Sequence, residues 1–247
     1  MSILVTGDTH GDLRRFSNQN IKGNNNDEFP SHIIIVGDFG LIWSNKPEGS
    51  PEEQYWLKWL DEKPYETLVL LGNHENYERI YAKPIVKRYG GPMFQLSEKV
   101  FVFQHGNIYT IEGKTFFCFG GALSIDKYRR QDRISWWAEE IPTTADVMLG
   151  LMTLDSVQGK VDYVLTHTVP KEAIRKLDES GLLPFGGSED PKFADPTVPM
   201  LEALRDKLDP AHPKKWFYGH FHNTITVRGD ETGREYSLLY ASFARIE

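Results

Sequence analysis

Five short apolar runs in this chain end the same way, on a tight turn that carries a side chain able to hold a metal. Ile3 to Thr6 runs into Gly7-Asp8-Thr9-His10-Gly11, and Ile33-Ile34-Ile35-Val36 runs into Gly37-Asp38. Thr67 to Leu71 leads to Gly72-Asn73-His74-Glu75, Tyr163-Val164-Leu165 to Thr166-His167, and Trp216-Phe217-Tyr218 to Gly219-His220-Phe221-His222. Runs this short, rich in β-branched and aromatic residues and closed by turns, read as buried strands. Each polar block therefore follows the carboxyl end of a strand, where ligands of open α/β sheets collect. The glycines let the backbone turn sharply.

Helices fill the gaps. Pro51 to Asp61 opens on proline and two glutamates, a favourable helix entry. Thr144 to Leu154 and Lys171 to Leu177 read as helices, and Thr197 to Leu208 sets Leu201, Leu204 and Leu208 on one face. Phe101 to Phe103, Ile108 to Ile111 and Thr115 to Phe119 read as a β-meander that adds a second sheet. A hairpin follows from Thr224 to Arg228 and Tyr236 to Tyr240, around Gly229-Asp230-Glu231-Thr232-Gly233. The expected fold class is an α/β sandwich: two mixed β-sheets packed face to face with helices on both outer sides, in four layers. Residues 1–247 read as a single domain, with no internal repeat and no linker. Asn24-Asn25-Asn26 reads as a polar loop tip. The stretch 180–196, rich in Gly, Pro and acidic residues, reads as a lid over the site or a solvated excursion.

A chain of 247 residues can bury a full core. Its 40% hydrophobic and 26% charged residues are ordinary for a globular enzyme. The net charge of −7 argues against a dedicated nucleic-acid backbone binder but leaves a nuclease open, since bound metals add local positive charge. Cys118 is the only cysteine; it fits a reducing compartment, and Phe116, Phe117 and Phe119 mark it as a buried structural thiol. With no signal peptide before Ile3-Leu4-Val5 and no bilayer-length apolar stretch, the expectation is a cytoplasmic protein without a membrane partner.

Taken singly, the polar blocks say little. Asp8 suits a cap or a turn brace, Asp38 and Asn73 suit turns after strands, and a lone histidine is more often hydrogen-bonded than ligating. Jointly they reverse that reading, because five of the eight histidines fall inside these blocks, each after an expected strand. Aspartate, asparagine and histidine suit two divalent cations, manganese first, with iron, zinc, nickel or cobalt as alternatives. Two adjacent metals serve phosphate-ester cleavage. His32, His105 and His212 stand outside the pattern and read as structural or surface residues.

The order Asp-x-His, Gly-Asp, Gly-Asn-His-Glu/Asp, His, Gly-His-x-His resembles the calcineurin-like metallophosphoesterase superfamily. The resemblance runs unbroken from Asp8 to His222. It implies the same four-layer sandwich. It implies that Asp8, His10 and His222 hold one metal, that Asn73, His167 and His220 hold the other, and that Asp38 bridges both. A hydroxide shared by the metals would attack phosphorus, and His74 would protonate the leaving oxygen. Glu75 is expected to orient the His74 ring or to pack as a polar neighbour.

The segment from Gly120 to Arg133 is the most basic. Lys127, Arg129, Arg130 and Arg133 could grip a phosphate or a nucleotide, or line a solvated face. Trp43, Trp136 and Trp137 read as core or rim packing, with stacking on a base as the alternative. Serine/threonine protein phosphatases carry Gly-Asp-x-x-Asp-Arg-Gly at the second block, whereas this chain has Gly37-Asp38-Phe39-Gly40-Leu41-Ile42-Trp43. The ending Gly219-His220-Phe221-His222 resembles the phosphodiesterase and nuclease branches, and the Gly-Gly loop with a nearby lysine resembles RNA lariat debranching enzymes. The expected function is a phosphodiesterase acting on a phosphate ester, with a nucleotide or nucleic acid as candidate substrate. The alternatives are a protein or small-molecule phosphomonoesterase and a non-catalytic scaffold on the same fold, as in the retromer scaffold subunit.

Overall fold

The structure, a computed structural model, describes residues 2–183, 194–213, 215–230 and 233–247. The strands are β1 (Ile3–Thr6), β2 (His32–Ile35), β3 (Glu66–Val69), β4 (Ile85–Arg88), β5 (Gly91–Gln95), β6 (Val100–Phe103), β7 (Asn107–Ile111) and β8 (Lys114–Phe119). They continue with β9 (Tyr163–Thr166), β10 (Lys215–Tyr218), β11 (Ile225–Arg228), β12 (Glu235–Leu238) and β13 (Phe243–Ile246). The helices are α1 (Asn18–Gly23), α2 (Pro51–Asp61), α3 (Tyr77–Tyr81), α4 (Thr144–Ser156), α5 (Lys171–Glu179) and α6 (Thr197–Arg205).

Alternating side chains explain the layering. In β2, Ile33 and Ile35 enter one apolar cluster while Ile34 and the following Val36 enter another. In β10, Trp216 and Tyr218 face a third cluster and Phe217 faces the second. Strands buried on both faces read as continuous apolar runs, which is how these stood out. The second cluster lies between the two sheets. The first packs one sheet against α2 through Leu60 and against α3 through Ile80. The third packs the other sheet against Leu154 of α4, Leu177 of α5 and Leu201 of α6. The four-layer sandwich is therefore present. Reciprocal caps start α2 (Ser50 with Glu53) and α4 (Thr143 with Asp146).

One sheet has the order β13-β1-β2-β3-β6-β5-β4, the other β11-β12-β10-β9-β8-β7. In the first, β1, β2, β3 and β6 run parallel. In the second, β12, β10, β9 and β8 run parallel. Every polar block thus leaves the carboxyl end of a parallel strand, and the two sheets deliver their blocks to one rim of the sandwich.

Two expectations change. The three strands expected as a meander do not pair in sequence: β6 lies beside β3 in the first sheet, while β7 and β8 pair in the second. The turn at His105-Gly106 carries the chain across the gap, so that Phe103 and Tyr109 face each other between sheets, ring centroids 4.7 Å apart. Local pattern reveals strands but not their partners. The Asn24-Asn25-Asn26 loop is a turn after α1, with Asn25 buried, accepting from Ser2 Oγ at 2.7 Å and donating to Glu28 O at 3.1 Å. The β4–β5 hairpin and edge strand β13 lie where no strand was expected. The hairpin turns at Tyr89-Gly90, whose φ values of 52° and 91° suit a tight primed turn.

Cys118 is buried, and burial pushes its thiol well up. The expected lid falls largely on residues 184–193, outside the described residues. Among the described residues, no helix is long and apolar enough to cross a membrane.

Candidate metal centre

Two groups of ligand atoms form at the rim, and one carboxylate stands between them. Asp8, His10, Asp38 and His222 each place a ligand atom within 4.8 Å of the others. His222 Nε2 lies 3.2 Å from Asp8 Oδ2 and 2.9 Å from His10 Nε2, and His10 Nε2 lies 3.7 Å from Asp38 Oδ2. In the second group, Asn73 Oδ1 is 3.0 Å from His167 Nε2 and 2.9 Å from His220 Nδ1. His167 Nε2 also lies 3.1 Å from Asp38 Oδ1. Asp38 thus turns one oxygen to each group.

The backbone is bent hard to achieve this. His10, Asp38, His220 and His222 hold φ of 46°, 51°, 70° and 50°. Side-chain-bearing residues seldom adopt that region, and such strain gathers at functional sites. The glycines beside them cannot be replaced freely. A Cβ at Gly37 would sit 2.1 Å from His167 Nδ1, and one at Gly219 would sit 2.1 Å from Asp8 Oδ1.

Polar neighbours set which atoms face inward. His167 Nδ1 lies 2.9 Å from Val36 O, a contact that needs the proton on Nδ1 and turns Nε2 toward Asn73 and Asp38. Asn73 Nδ2 donates to Ser124 Oγ at 3.2 Å, which turns Asn73 Oδ1 toward the histidines. Ser124 is held in turn by Glu140, through Oγ at 2.6 Å and its backbone N–H at 2.9 Å. Arg15 donates to Asp8 O at 2.7 Å and to Tyr240 O at 2.6 Å, tying two strand ends together. The Tyr240 ring stacks on His222 at 4.9 Å. Ser124, Glu140, Arg15 and Tyr240 carry no sequence spacing that links them to the ligands, so the sequence did not reveal these roles.

The electrostatics fit two cations. Asp8 and Asp38 are both buried, and two carboxylates held together out of water need positive charge close by. Burial, with the nearby His167 charge, lowers His220 to about 3, and burial lowers His10 against the pull of Asp38. Both shifts favour the neutral imidazole, which presents a lone pair. At His167 burial is outweighed by the Asp38 carboxylate, which lifts the ring to about 9. His222 is raised by its hydrogen bond to Asp8. Metal binding would have to displace any proton from these nitrogens, and the oxygen and nitrogen donors suit two borderline divalent ions.

His74 stands apart from both ligand groups. Its backbone N–H donates to Asp38 Oδ1 at 2.8 Å, and its ring lies edge-on to His10 at 4.8 Å. Glu75 does not orient that ring. Its carboxylate accepts from the backbone N–H of Phe39 at 2.7 Å and of Gly40 at 3.4 Å, bracing the loop that carries Asp38. Burial and the Asp38 charge raise it to about 8. The group beside the His74 ring is Arg130, whose Nη2 is 2.7 Å from Nε2 and 3.2 Å from Nδ1. Asp126 holds Arg130 Nε at 2.8 Å, and Ser135 O accepts from Nη1 at 3.2 Å.

The basic segment thus divides. Arg130 reaches the rim, whereas Lys127 lies over the Trp136 ring at 3.9 Å and Arg129 over Tyr128 at 5.2 Å. Arg133 pairs with Glu139 at 2.9 Å. His32 is bonded to Ser31 and Tyr89, and His105 accepts from Gly120 N–H, consistent with structural roles.

The calcineurin-like phosphoesterase family matches residues 1–224. The chain belongs to that family. This phosphoesterase is accordingly a metal-dependent hydrolase of phosphoric esters, in a family that works with a dinuclear centre. No curated protein matches its sequence. Among solved structures, it is similar to GAP50, described as the anchor in the inner membrane complex of Plasmodium. That likeness has 12% identity and a TM-score of 0.49, over 97% of this chain and 71% of that one. It is also similar to the phosphopantetheinyl hydrolase of Mycobacterium tuberculosis, with 16% identity and a TM-score of 0.46, over 97% of this chain and 90% of that one.

Proposed function

We propose that this phosphoesterase is a phosphodiesterase with two sites for divalent cations, manganese first. Asp8, His10 and His222 would hold one, Asn73, His167 and His220 the other, and Asp38 would give an oxygen to each. The observation that carries the two-site reading is the division of the Asp38 oxygens, Oδ1 toward His167 at 3.1 Å and Oδ2 toward His10 at 3.7 Å. Bound there, the cations supply acidity to the attacking water and positive charge to the phosphate oxygens.

The chain's own residues do the rest. The phosphorus–oxygen bond to the leaving group breaks as water adds, and the departing oxygen takes its electron pair and a proton. His74 is the donor, because its ring lies edge-on to His10 and it belongs to neither ligand group. Burial lowers its ring to about 4, opposed by Asp38 and reinforced by Arg130. A phosphate anion held against Arg130 offsets that cation and favours the protonated ring. The diester reading is supported by a cavity of about 460 Å³ beside His10 and His74, room for a second substituent. It is also supported by Phe39-Gly40 following Asp38, in place of the pattern that ends in an aspartate–arginine pair.

A monoesterase is favoured by one observation: the Arg130 guanidinium at His74 suits the extra charge of a monoester. Hydrolysis of bis-nitrophenyl phosphate and nitrophenyl phosphate by protein loaded with Mn²⁺ separates the two. A higher kcat/KM on the diester supports the first reading, and a strong preference for the monoester overturns it.

A further inference from the structure

The 460 Å³ cavity is a groove lined by His10, His74, Leu41, Trp43, Ser44 and Glu52, among others. Its volume is in the range of small-molecule clefts. One wall is flat: the Trp43 indole lies nearly parallel to the His74 ring, 22° between planes and 6.1 Å between centroids. The buried Trp137 meets the Trp43 indole edge-on at 5.4 Å and fixes its plane.

The loop behind this wall is pinned by one carboxylate. Glu53 accepts from the backbone N–H of Trp43 at 2.8 Å and of Ser44 at 2.5 Å, and pairs with Arg79 Nη1 at 2.7 Å. Glu53 is therefore neutralised and spent on structure. The residues lining the groove include no lysine or arginine, and the exposed Glu52 carboxylate is left as its unneutralised charge. Any negative charge entering beyond the reacting phosphate would meet Glu52 with no cation in the lining to pair with.

We infer that the groove takes the leaving part of the ester, and that this part is an alcohol built on a flat ring without negative charge, of nucleoside or aryl type. The inference rests on the hydrolytic reading above for which bond is cut. Stacking on Trp43 holds the ring, and His74, in the same lining, meets the oxygen that departs. A leaving group bearing a further phosphate is disfavoured by Glu52.

Two measurements test this on metal-loaded protein. The first compares kcat/KM for methyl aryl phosphate diesters whose ring carries a nitro, a trimethylammonium or a sulfonate group, on wild type and Glu52→Lys. Wild type is expected to disfavour the sulfonate, and Glu52→Lys to shift the nitro-to-sulfonate ratio toward the sulfonate by on the order of fivefold, the upper reach of an exposed charge pair. The second titrates adenosine into the protein by calorimetry. Binding is expected in wild type and weakened in Trp43→Leu, with circular dichroism and metal content checking that variant's fold. Equal rates for nitro and sulfonate rings, or a ratio that Glu52→Lys leaves unmoved, overturn the inference. If adenosine binds through Trp43 while no diester is cut, the hydrolytic reading fails and the groove stands as a ring site. If diesters are cut without charge discrimination and adenosine does not bind, the groove assignment fails alone.

Discussion

Asp38 Oδ1 lies 3.1 Å from His167 Nε2, a contact between two buried groups supplied by different sheets. It closes the rim between the two halves of the sandwich, and the other Asp38 oxygen faces the opposite ligand group. Burial opposes the charge on Asp38, and the His167 ring overcomes it, holding the carboxyl well below its usual range. Removing this one carboxylate should therefore act on both ligand groups.

Asp38→Asn is expected to lose metal from both sites, whereas Asn73→Ala should lose it from the second alone. Elemental analysis and activity measured side by side check this. Selective loss of one metal in both variants would contradict a bridging role.

His74→Ala should keep both metals and the fold. On esters with poor leaving groups its rate should fall by roughly 10²–10⁴, the usual worth of a positioned acid. On a nitrophenyl ester, which needs little protonation, the fall should be smaller. An equal fall on both substrates, or lost metal, removes His74 from the donor role.

Arg130→Ala is expected to raise KM and to lower kcat/KM on monoesters more than on diesters, since Arg130 reaches His74. Lys127→Ala and Arg129→Ala should stay within about twofold of wild type, because both side chains lie over aromatic rings, and exposed charges of this kind contribute little. Steady-state kinetics on the three variants decide the matter. An effect at Lys127 equal to that at Arg130 would restore the whole basic segment as a clamp.

Ser124→Ala frees the Asn73 amide from its partner and leaves Glu140 without the hydroxyl it accepts from. Losing such an outer partner typically costs about 10–100-fold in metal affinity. The expectation is a loss confined to the second site, read by competition with a chelator. Loss at the first site alone would show that this chain of contacts supports something else.

Gly37→Ala should be the harshest small substitution. Its φ of 94° disfavours any side chain, and the new Cβ would press on the His167 ring at 2.1 Å. Backbone strain of this kind costs about 1–3 kcal/mol before the clash is counted. Urea unfolding together with metal content measures it. A variant with full stability and full metal would show that the loop relaxes freely.

The sequence by itself determined the ligand blocks, the strands that carry them and the layered α/β class. Ile33 to Val36 is legible because a strand buried on both faces must be apolar throughout, and the Gly-Asp that follows must leave the sheet. Helix α2 is legible because its proline and first-turn acids are adjacent in the chain. Tertiary structure alone decided what depends on approach between distant segments. It separated β6 from β7, turned Glu75 toward Phe39 and Gly40, and brought Arg130 rather than Lys127 to His74. It also hung Asn73 on Ser124 and Glu140. Periodicity and capping are local and leave a trace along the chain. Strand pairing and side-chain reach depend on how separate segments share a small volume, and no spacing in one dimension records that.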